Sequence, residues 1–274
     1  MPSLRPFILD LLLSSGQLLI EKQENASAQN KGEHDLVTDA DLASEKLIIN
    51  AILDRFPTHK IYSEESPRAH DDLFAPHVWI IDPLDGTNNY AYGFPIWGIS
   101  IAYAQNGELQ AGGIAYPLQG IYLLAEKGKG AWEYREEEGA KAGERPALGK
   151  PRRLHVSPRT DLHKCMVLVC AHLTTANGDL HLAGLGRVAK NVFNVRSLGS
   201  AVFNLGFVAS GLADGCVEFK LQPYDGAAGA LLIREAGGKV TNLVGDDWKL
   251  DMPGMLCSNG KVHGQLLKAL DWSA

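Results

Sequence analysis

An acidic segment that follows a short apolar run is the clearest chemical feature of this sequence. The apolar residues 79–81 lead directly into the segment 82–87, Asp-Pro-Leu-Asp-Gly-Thr. The proline after Asp82 makes the exit from the predicted strand rigid, so the carboxylates of Asp82 and Asp85 can converge on one point. Two carboxylates and the carbonyl of Leu84 suit a hard cation such as Mg²⁺. The alternative interpretation is an ordinary Asp-Gly turn without an ion.

The residues after Asp85 are suited to an anion. Gly86 allows the backbone to approach a ligand closely. A helix that begins near Thr87 would point the amides of Gly86 and Thr87 outward, and such amides bind negative groups. The segment therefore predicts metal ligands and a phosphate site side by side.

Four further acidic residues lie in separate parts of the chain. Glu64 follows a short apolar stretch, Asp41 lies at a predicted helix start, and Asp225 precedes a helix of small residues. Glu218 lies seven residues before Asp225. Each one alone fits surface or capping chemistry better than catalysis, and Asp41 and Asp225 in particular have the position of helix caps.

The elements that must position these side chains differ between the two halves of the chain. In the first half we predict a helix over 4–23, a loop over 24–35, a helix from Thr38 to before Pro57, and strands at 77–82, 97–104, 110–116 and 120–126. The charged segment 133–151 is predicted to be an exposed hairpin or loop.

The second half alternates strands and helices. Strands are predicted at 167–171, 192–196, 215–219, 239–243 and 255–258, and helices at 178–190, from a cap at Ser197 to Ser210, at 225–236 and at 262–270. The change of style predicts two packed subdomains, residues 1–150 and 151–274, with a cleft between them.

The charge balance and the absence of long apolar runs limit the possible partners. The 274 residues include 26 basic and 32 acidic side chains, so the formal net charge is −6. This argues against a nucleic-acid partner, which requires a basic face. No apolar run approaches the length of a membrane span, and the sequence predicts a cytoplasmic protein without a membrane partner. An acidic protein that handles an anionic substrate needs a cation between the two.

Other kinds of chemistry have weaker support. The four cysteines are Cys165, Cys170, Cys216 and Cys257; they form no CxxC pair, and we predict free thiols in a reducing compartment. The sequence has no phosphate-binding loop of the nucleotide type and no serine nucleophile motif.

The acidic segment 82–87 resembles the signature of the inositol monophosphatase family, which belongs to the magnesium-dependent, lithium-sensitive sugar phosphatases. Four more segments are similar to that family in the same order: Asp35-Leu-Val-Thr-x-x-Asp41, Glu64-Glu-Ser, Gly128-Lys-Gly-Ala-Trp132 and Pro223-Tyr-Asp-x-Ala-Ala-Gly229. The resemblance extends from about residue 4 to residue 270. It implies a mixed α+β and α/β fold, a layered α-β-α-β-α sandwich whose two packed subdomains hold the site between them.

The resemblance also implies roles for individual residues. Glu64, Asp82 and the Leu84 carbonyl would hold one Mg²⁺ ion, Asp82, Asp85 and Asp225 a second, and Glu64 a third, looser ion. Thr87, bonded to Asp41, would position the attacking water. The implied substrate contacts are Asp85, Gly86, Thr87, Gly199, Ser200, Ala201 and Glu218.

The implied activity is Mg²⁺-dependent hydrolysis of myo-inositol monophosphate by a homodimer. Sister substrates are phosphoadenosine phosphate, fructose bisphosphate and histidinol phosphate. A different alternative is a non-catalytic regulator that binds metal and phosphate. The chain departs from the family at Tyr224, where a tryptophan is common, and in the long segment 133–151. Lys31 is a candidate for the lysine of the family's mobile loop.

Overall fold

A computed structural model describes residues 3–23, 28–32, 35–67, 69–137, 139, 145–170 and 177–272, with only the backbone of 28–32 and 35–37. The helices of this part are α1 (Arg5–Gln23), α2 (Asp39–Arg55), α3 (Thr87–Ala91), α4 (Gly178–Ala189), α5 (Ala201–Ala209), α6 (Pro223–Glu235) and α7 (His263–Leu270). None of these helices combines the length and the apolar composition that a membrane span requires.

The strands of the described part form three sheets. They are β1 (Ala28–Gly32), β2 (Asp35–Thr38), β3 (Lys60–Ser63), β4 (Val78–Asp85), β5 (Gly98–Gln105), β6 (Glu108–Tyr116), β7 (Ile121–Glu126), β8 (Gly130–Arg135), β9 (Arg152–Arg153), β10 (Met166–Cys170), β11 (Asn194–Arg196), β12 (Gly215–Glu218), β13 (Lys239–Thr241) and β14 (Met255–Ser258). The sheet orders are β1-β2, β3-β4-β5-β6-β7-β8-β9 and β11-β10-β12-β14-β13.

Five layers result from the way these elements bury their apolar faces. On β4, Trp79 and Ile81 pack with α1 and α2, whereas Val78 and Ile80 point to the opposite core, which contains α5 and α6. The far face of the five-stranded sheet packs against α4 and α7. The predicted α-β-α-β-α sandwich is therefore confirmed.

Small residues allow the central helices to approach the large sheet. A side-chain carbon at Gly98 would lie 3.0 Å from Val202, and one at Gly112 would lie 3.2 Å from Ala228. Ser100, also on the small-residue face of β5, donates to the carbonyl of Tyr224 at 3.0 Å. The alternation of large and small residues along β5 predicted such a packed helix, and the structure confirms it.

Several predicted boundaries are wrong for local physical reasons. Strand β8 continues to Arg135, into the segment predicted to be an exposed hairpin or loop, and it pairs antiparallel with β9 as a hairpin does. Glu133 is not exposed as predicted, because it is buried and bonded to Arg135 and Arg152. Two short strands, β1 and β2, replace the predicted loop over 24–35 in its described part. Helix α5 is capped by Ser200, not Ser197, since the Ser200 hydroxyl accepts from the amide of Phe203 at 3.1 Å.

Two further elements begin or end elsewhere than predicted. Helix α6 begins at Pro223 rather than Asp225, because proline fits the first turn of a helix, where its missing N–H is not needed. Strand β9 follows residue 150 but pairs with β8, so it belongs to the seven-stranded sheet. The division into subdomains at residue 150 stays a prediction.

Candidate active site

Three carboxylates meet where β4 ends. The ligand oxygens of Asp82, Asp85 and Asp225 all lie within 4.8 Å of one another. The pairing of β4 with β5 skips the residues between Asp82 and Asp85, so the strand bulges there. The amide of Leu84 bonds to Asp82 Oδ1 at 3.1 Å, and Asp225 comes from the first turn of α6. Segments 140 residues apart thus form one acidic group, which we call the carboxylate cluster.

Burial and nearby negative charges raise the pKa values of the cluster. The pKa of Asp82 lies well above its ordinary value because the side chain is buried and the charges of Glu64, Asp85 and Asp225 are close. Burial raises the pKa of Asp85 to about 6, and burial together with Asp85 raises the pKa of Asp225. Among the described side chains, no lysine or arginine forms an ion pair with these three residues.

The donor set of the cluster fits a hard divalent cation. Carboxylate oxygens are the ligands that Mg²⁺ prefers, and a bound dication would offset the repulsion that raises these pKa values. The interpretation of residues 82–87 as a plain turn does not account for Asp225, which arrives from another layer of the fold.

Glu64 lies near the cluster but outside its tight group. The Glu64 side chain is partly buried, and its amide donates to the carbonyl of Ile81 at 3.2 Å. Its charge raises the pKa of both Asp82 and Asp225. The structure thus brings Glu64 into electrostatic contact with the predicted ligands without placing its oxygens within 4.8 Å of all of them.

Helix α2 positions the residues on one side of the cluster. Thr87 Oγ1 lies 3.1 Å from Asp41 Oδ1 and 3.0 Å from the carbonyl of Leu84, so one proton serves two acceptors. Asp41 also accepts from the amide of Thr38 at 2.8 Å, which completes the predicted capping box. Burial raises the pKa of Asp41. Asp41 is therefore both a helix cap and a partner of Thr87.

Two α2 residues that the sequence analysis missed support the same side. Ser44 donates to the carbonyl of Pro83 at 2.8 Å. Glu45 accepts from the amide of Glu65 at 3.1 Å and from the Ser66 hydroxyl at 2.9 Å, and so fixes the loop that carries Glu64. The spacing of positions 41 and 45 places both carboxylates on one helix face, which is the signal that could have identified Glu45.

Gly86 connects the cluster to α3 in a conformation that requires glycine. Its φ is +82°, and an added side-chain carbon would lie 3.0 Å from the carbonyl oxygen of Ile96. The side-chain amide of Asn89, within α3, donates to the carbonyls of Ile96 at 2.7 Å and Leu198 at 2.9 Å. These bonds fix α3 against the segment that leads into α5.

Helix α5 positions the opposite side of the cluster. The Ser200 hydroxyl donates to Asp85, and the amides of Ala201 and Val202 donate to its two oxygens at 3.2 Å each. These hydrogen bonds lower the pKa of Asp85 against the effect of burial. Of the predicted substrate contacts, Ser200 and Ala201 are thus bonded to a predicted metal ligand, and Gly199 lies beside Asn89 with φ +71°.

Glu218 lies at the end of β12, almost fully buried. Burial raises the pKa of its carboxyl to about 7, partly offset by hydrogen bonds from Asn204 and Cys216. Asn204 Nδ2 lies 2.8 Å from Glu218 Oε1, and Cys216 Sγ lies 3.0 Å from the same oxygen. The sequence analysis missed Asn204, although a lone polar residue in the apolar helix α5 is a usable signal. The backbone of Lys31 lies in β1, and its side chain is outside the described part.

Comparisons with known proteins agree with this geometry. The model of the inositol monophosphatase family matches residues 6–273. A Neisseria meningitidis serogroup B protein named putative Nus factor SuhB is 35% identical over 260 residues, 93% of each chain. A Thermotoga maritima fructose-1,6-bisphosphatase/inositol-1-monophosphatase is 31% identical, over 97% of this chain and 94% of that relative. The solved structure of the extragenic suppressor protein SuhB from Bartonella henselae matches with a TM-score of 0.85 and 30% identity, over 99% of both chains.

Proposed function

Because the chain belongs to the inositol monophosphatase family of phosphatases, we propose that it hydrolyses myo-inositol monophosphate to inositol and phosphate with Mg²⁺. The observation that carries the proposal is the carboxylate cluster, two buried acidic groups and one half-buried one from two layers of the fold, with no ion pair to a described lysine or arginine. Such a group is suited to hold divalent cations against a phosphate.

In this proposal Glu64, Asp82 and the Leu84 carbonyl would hold one Mg²⁺ ion, and Asp82, Asp85 and Asp225 would hold a second. Glu64 would share a third, looser ion. Bound Mg²⁺ supplies charge neutralisation for the phosphate and lowers the pKa of water.

Thr87 and Asp41 handle the proton of the attacking water. Thr87 Oγ1 is within hydrogen-bond distance of both Asp41 Oδ1 and the Leu84 carbonyl, so its lone pairs face away from these acceptors. A water molecule on that side can donate to Thr87 Oγ1 while the threonine proton moves toward Asp41. Burial raises the pKa of Asp41, which makes its carboxylate a better proton acceptor than an exposed one.

The remaining predicted contacts bind the two ends of the substrate. The amides of Gly86 and Thr87 bind the phosphate, and Glu218 together with the turn 199–201 binds the hydroxylated ring. Ser200 and Ala201 act on the phosphate side through Asp85, to which both are bonded.

Phosphate release from a panel of esters tests the proposal. The panel contains inositol 1-phosphate, fructose 1,6-bisphosphate, phosphoadenosine phosphate and histidinol phosphate, each with Mg²⁺ and with excess chelator. Fructose 1,6-bisphosphate is included because the Thermotoga maritima relative carries that activity in its name. We expect the highest kcat/KM for inositol 1-phosphate, inhibition by lithium, and no turnover with chelator. Mg²⁺ binding without turnover of any ester would favour the non-catalytic regulator.

We also propose that the protein is a cytoplasmic homodimer. Large apolar side chains are exposed after α3 and after α5: Tyr92 is 79%, Phe94 59% and Leu212 64% exposed. Leu212 borders a cavity of about 350 Å³ together with Pro95 and Phe207. An apolar surface of this kind fits a second copy of the chain. Light scattering should give twice the chain mass, and Leu212→Glu should halve it.

A further inference from the structure

Helix α5 connects the two ends of the proposed site. Its cap residue, Ser200, is bonded to the predicted metal ligand Asp85. Asn204, one turn later, is bonded through its side-chain amide to Glu218 at 2.8 Å. Positions four residues apart lie on the same helix face, so one rigid turn sets the distance between the metal side and the substrate side.

We propose that Asn204 is a positioning residue whose amide holds the Glu218 carboxylate in the orientation that binds the ring hydroxyls of a polyol phosphate. Asn204 thereby determines the selectivity of the enzyme among phosphate monoesters. This inference rests on the proposed function and deepens it.

The surroundings of Asn204 indicate that its amide donor is the reason for its presence. Asn204 is fully buried in α5, where every other residue is apolar. Its Oδ1 atom is buried and accepts no hydrogen bond from any described residue. A buried amide with an unsatisfied acceptor is unfavourable, and leucine would fill a similar volume without that cost. The hydrogen bond to Glu218 therefore accounts for an asparagine at this position.

The other partners of Glu218 are weaker donors. Cys216 Sγ lies 3.0 Å from the oxygen that Asn204 also contacts, and the thiol of Cys170 hydrogen-bonds to the same carboxylate. A thiol is a weak hydrogen-bond donor, whereas an amide N–H has a defined direction. No described lysine or arginine forms an ion pair with Glu218. Asn204 therefore provides the directional contact that fixes the carboxylate.

The test compares a substrate that has ring hydroxyls with one that lacks them. We expect Asn204→Leu to lower the ratio of kcat/KM for inositol 1-phosphate to kcat/KM for 4-nitrophenyl phosphate about tenfold, mainly through KM, because a hydrogen bond to a charged group typically has an effect of this size. A purely structural defect would lower both values together and leave the ratio unchanged. If the leucine variant folds poorly, Asn204→Ser takes its place. This smaller change should also lower the ratio.

Two further variants complete the design. Asn191→Leu is the matched control, because Asn191 also donates its side-chain amide, to the Arg187 carbonyl at 2.8 Å, but lies at the end of α4. It should keep the wild-type ratio. The double variant Asn204→Leu/Glu218→Gln should have the same ratio as Glu218→Gln alone, since Asn204 acts through Glu218.

The outcomes separate this inference from the proposed function. If the wild-type protein hydrolyses both esters but Asn204→Leu leaves the ratio of kcat/KM values unchanged, the positioning role alone is overturned. The same holds if the two substitutions change the ratio independently in the double variant. No Mg²⁺-dependent turnover of either ester by the wild-type protein would overturn the proposed function and this inference with it.

Discussion

Buried carboxylates have two kinds of surroundings in this molecule. At the edge of the large sheet, Glu133 is 5% exposed and bonded to Arg135 at 2.6 Å and Arg152 at 3.0 Å. Burial alone would raise the pKa of Glu133, but the two arginines hold it below its ordinary value. In the carboxylate cluster, burial raises the pKa of every member, and neighbouring negative charges raise the pKa values of Asp82 and Asp225 further.

The presence or absence of a basic partner separates acidic residues that stabilise the fold from acidic residues suited to bind a cation. Asp214, 1% exposed, accepts from the Ser157 hydroxyl, from Arg159 at 3.1 Å and from the amide of Met166 at 2.8 Å. Its charge is satisfied within the chain. The carboxylates of the cluster also accept hydrogen bonds, three of them at Asp85, but no described lysine or arginine offsets their negative charges. Several buried charges of one sign without a counter-charge are strongly unfavourable. A bound cation would offset them, so the two groups should respond oppositely to mutation, pH and metal.

The largest expected effect is on catalysis at the cluster. Asp82→Asn should lower phosphate release at least about 1,000-fold, because the predicted bridging ligand loses its charge. The same change should leave the unfolding temperature of the chelated protein equal or higher, since it removes one of several repelling charges. If Asp82→Asn kept activity within tenfold of wild type, or lost much of its stability, the distinction between cation-binding and structural carboxylates would be contradicted.

The second effect concerns the satisfied group. Asp214→Ala should lower the free energy of unfolding by about 3 kcal/mol, because it leaves the Met166 amide and the Ser157 hydroxyl buried without their acceptor. Chemical denaturation measures this loss. The Mg²⁺-dependent kcat of the folded fraction should stay near the wild-type value. A large fall in kcat with unchanged stability would assign Asp214 to the site instead.

A third effect is the pH dependence of the metal-free protein. The pKa of Asp85 is about 6 in the folded chain and near 4 when unfolded, so between these values the folded state binds more protons. The stability of the chelated protein should therefore rise as pH falls from 7.5 to 5.5, by about 1 kcal/mol for this group.

Histidines titrate in the same range and require a control. Burial lowers the pKa of His263 to about 4, so this histidine makes the folded protein less stable as pH falls. Comparing wild type with Asp85→Asn at both pH values cancels the contribution of the histidines and isolates that of Asp85. Glu133, with a lowered pKa, loses its contribution only at more acidic pH. An equal change in stability of the two proteins between these pH values would contradict the raised pKa of Asp85 in the folded chain.

The smallest effect tests the arginine pairs. Glu133→Gln should cost less than about 1 kcal/mol, because Arg135 and Arg152 are about 60% exposed and return to water. Kinetic constants should not change. A loss of several kcal/mol, measured by denaturation, would mean that the pair is more strongly coupled to the fold than its exposure indicates.

The sequence was most informative where one short segment carries several functions. Residues 82–87 combine a strand end, a turn and a helix start, and the structure forms β4, a bulge and α3 there. Residues whose function depends on contacts across the fold were harder to predict. Glu45 and Asn204 act on chain segments 14 to 21 residues away, so their local signals, the spacing from Asp41 and a lone polar residue in an apolar helix, do not reveal which groups they contact. Ser200 was predicted as a substrate contact, and its bond to Asp85 depends on the packing of two layers.

Calorimetric titration of the chelator-free protein with MgCl₂ tests the central claim most directly. We expect saturable binding to the wild-type protein, with at least one site per chain that disappears in Asp82→Asn and persists in Glu133→Gln. The same titration with no saturable binding to the wild-type protein, or with equal binding to wild type and Asp82→Asn, would contradict the assignment of the carboxylate cluster as the metal centre.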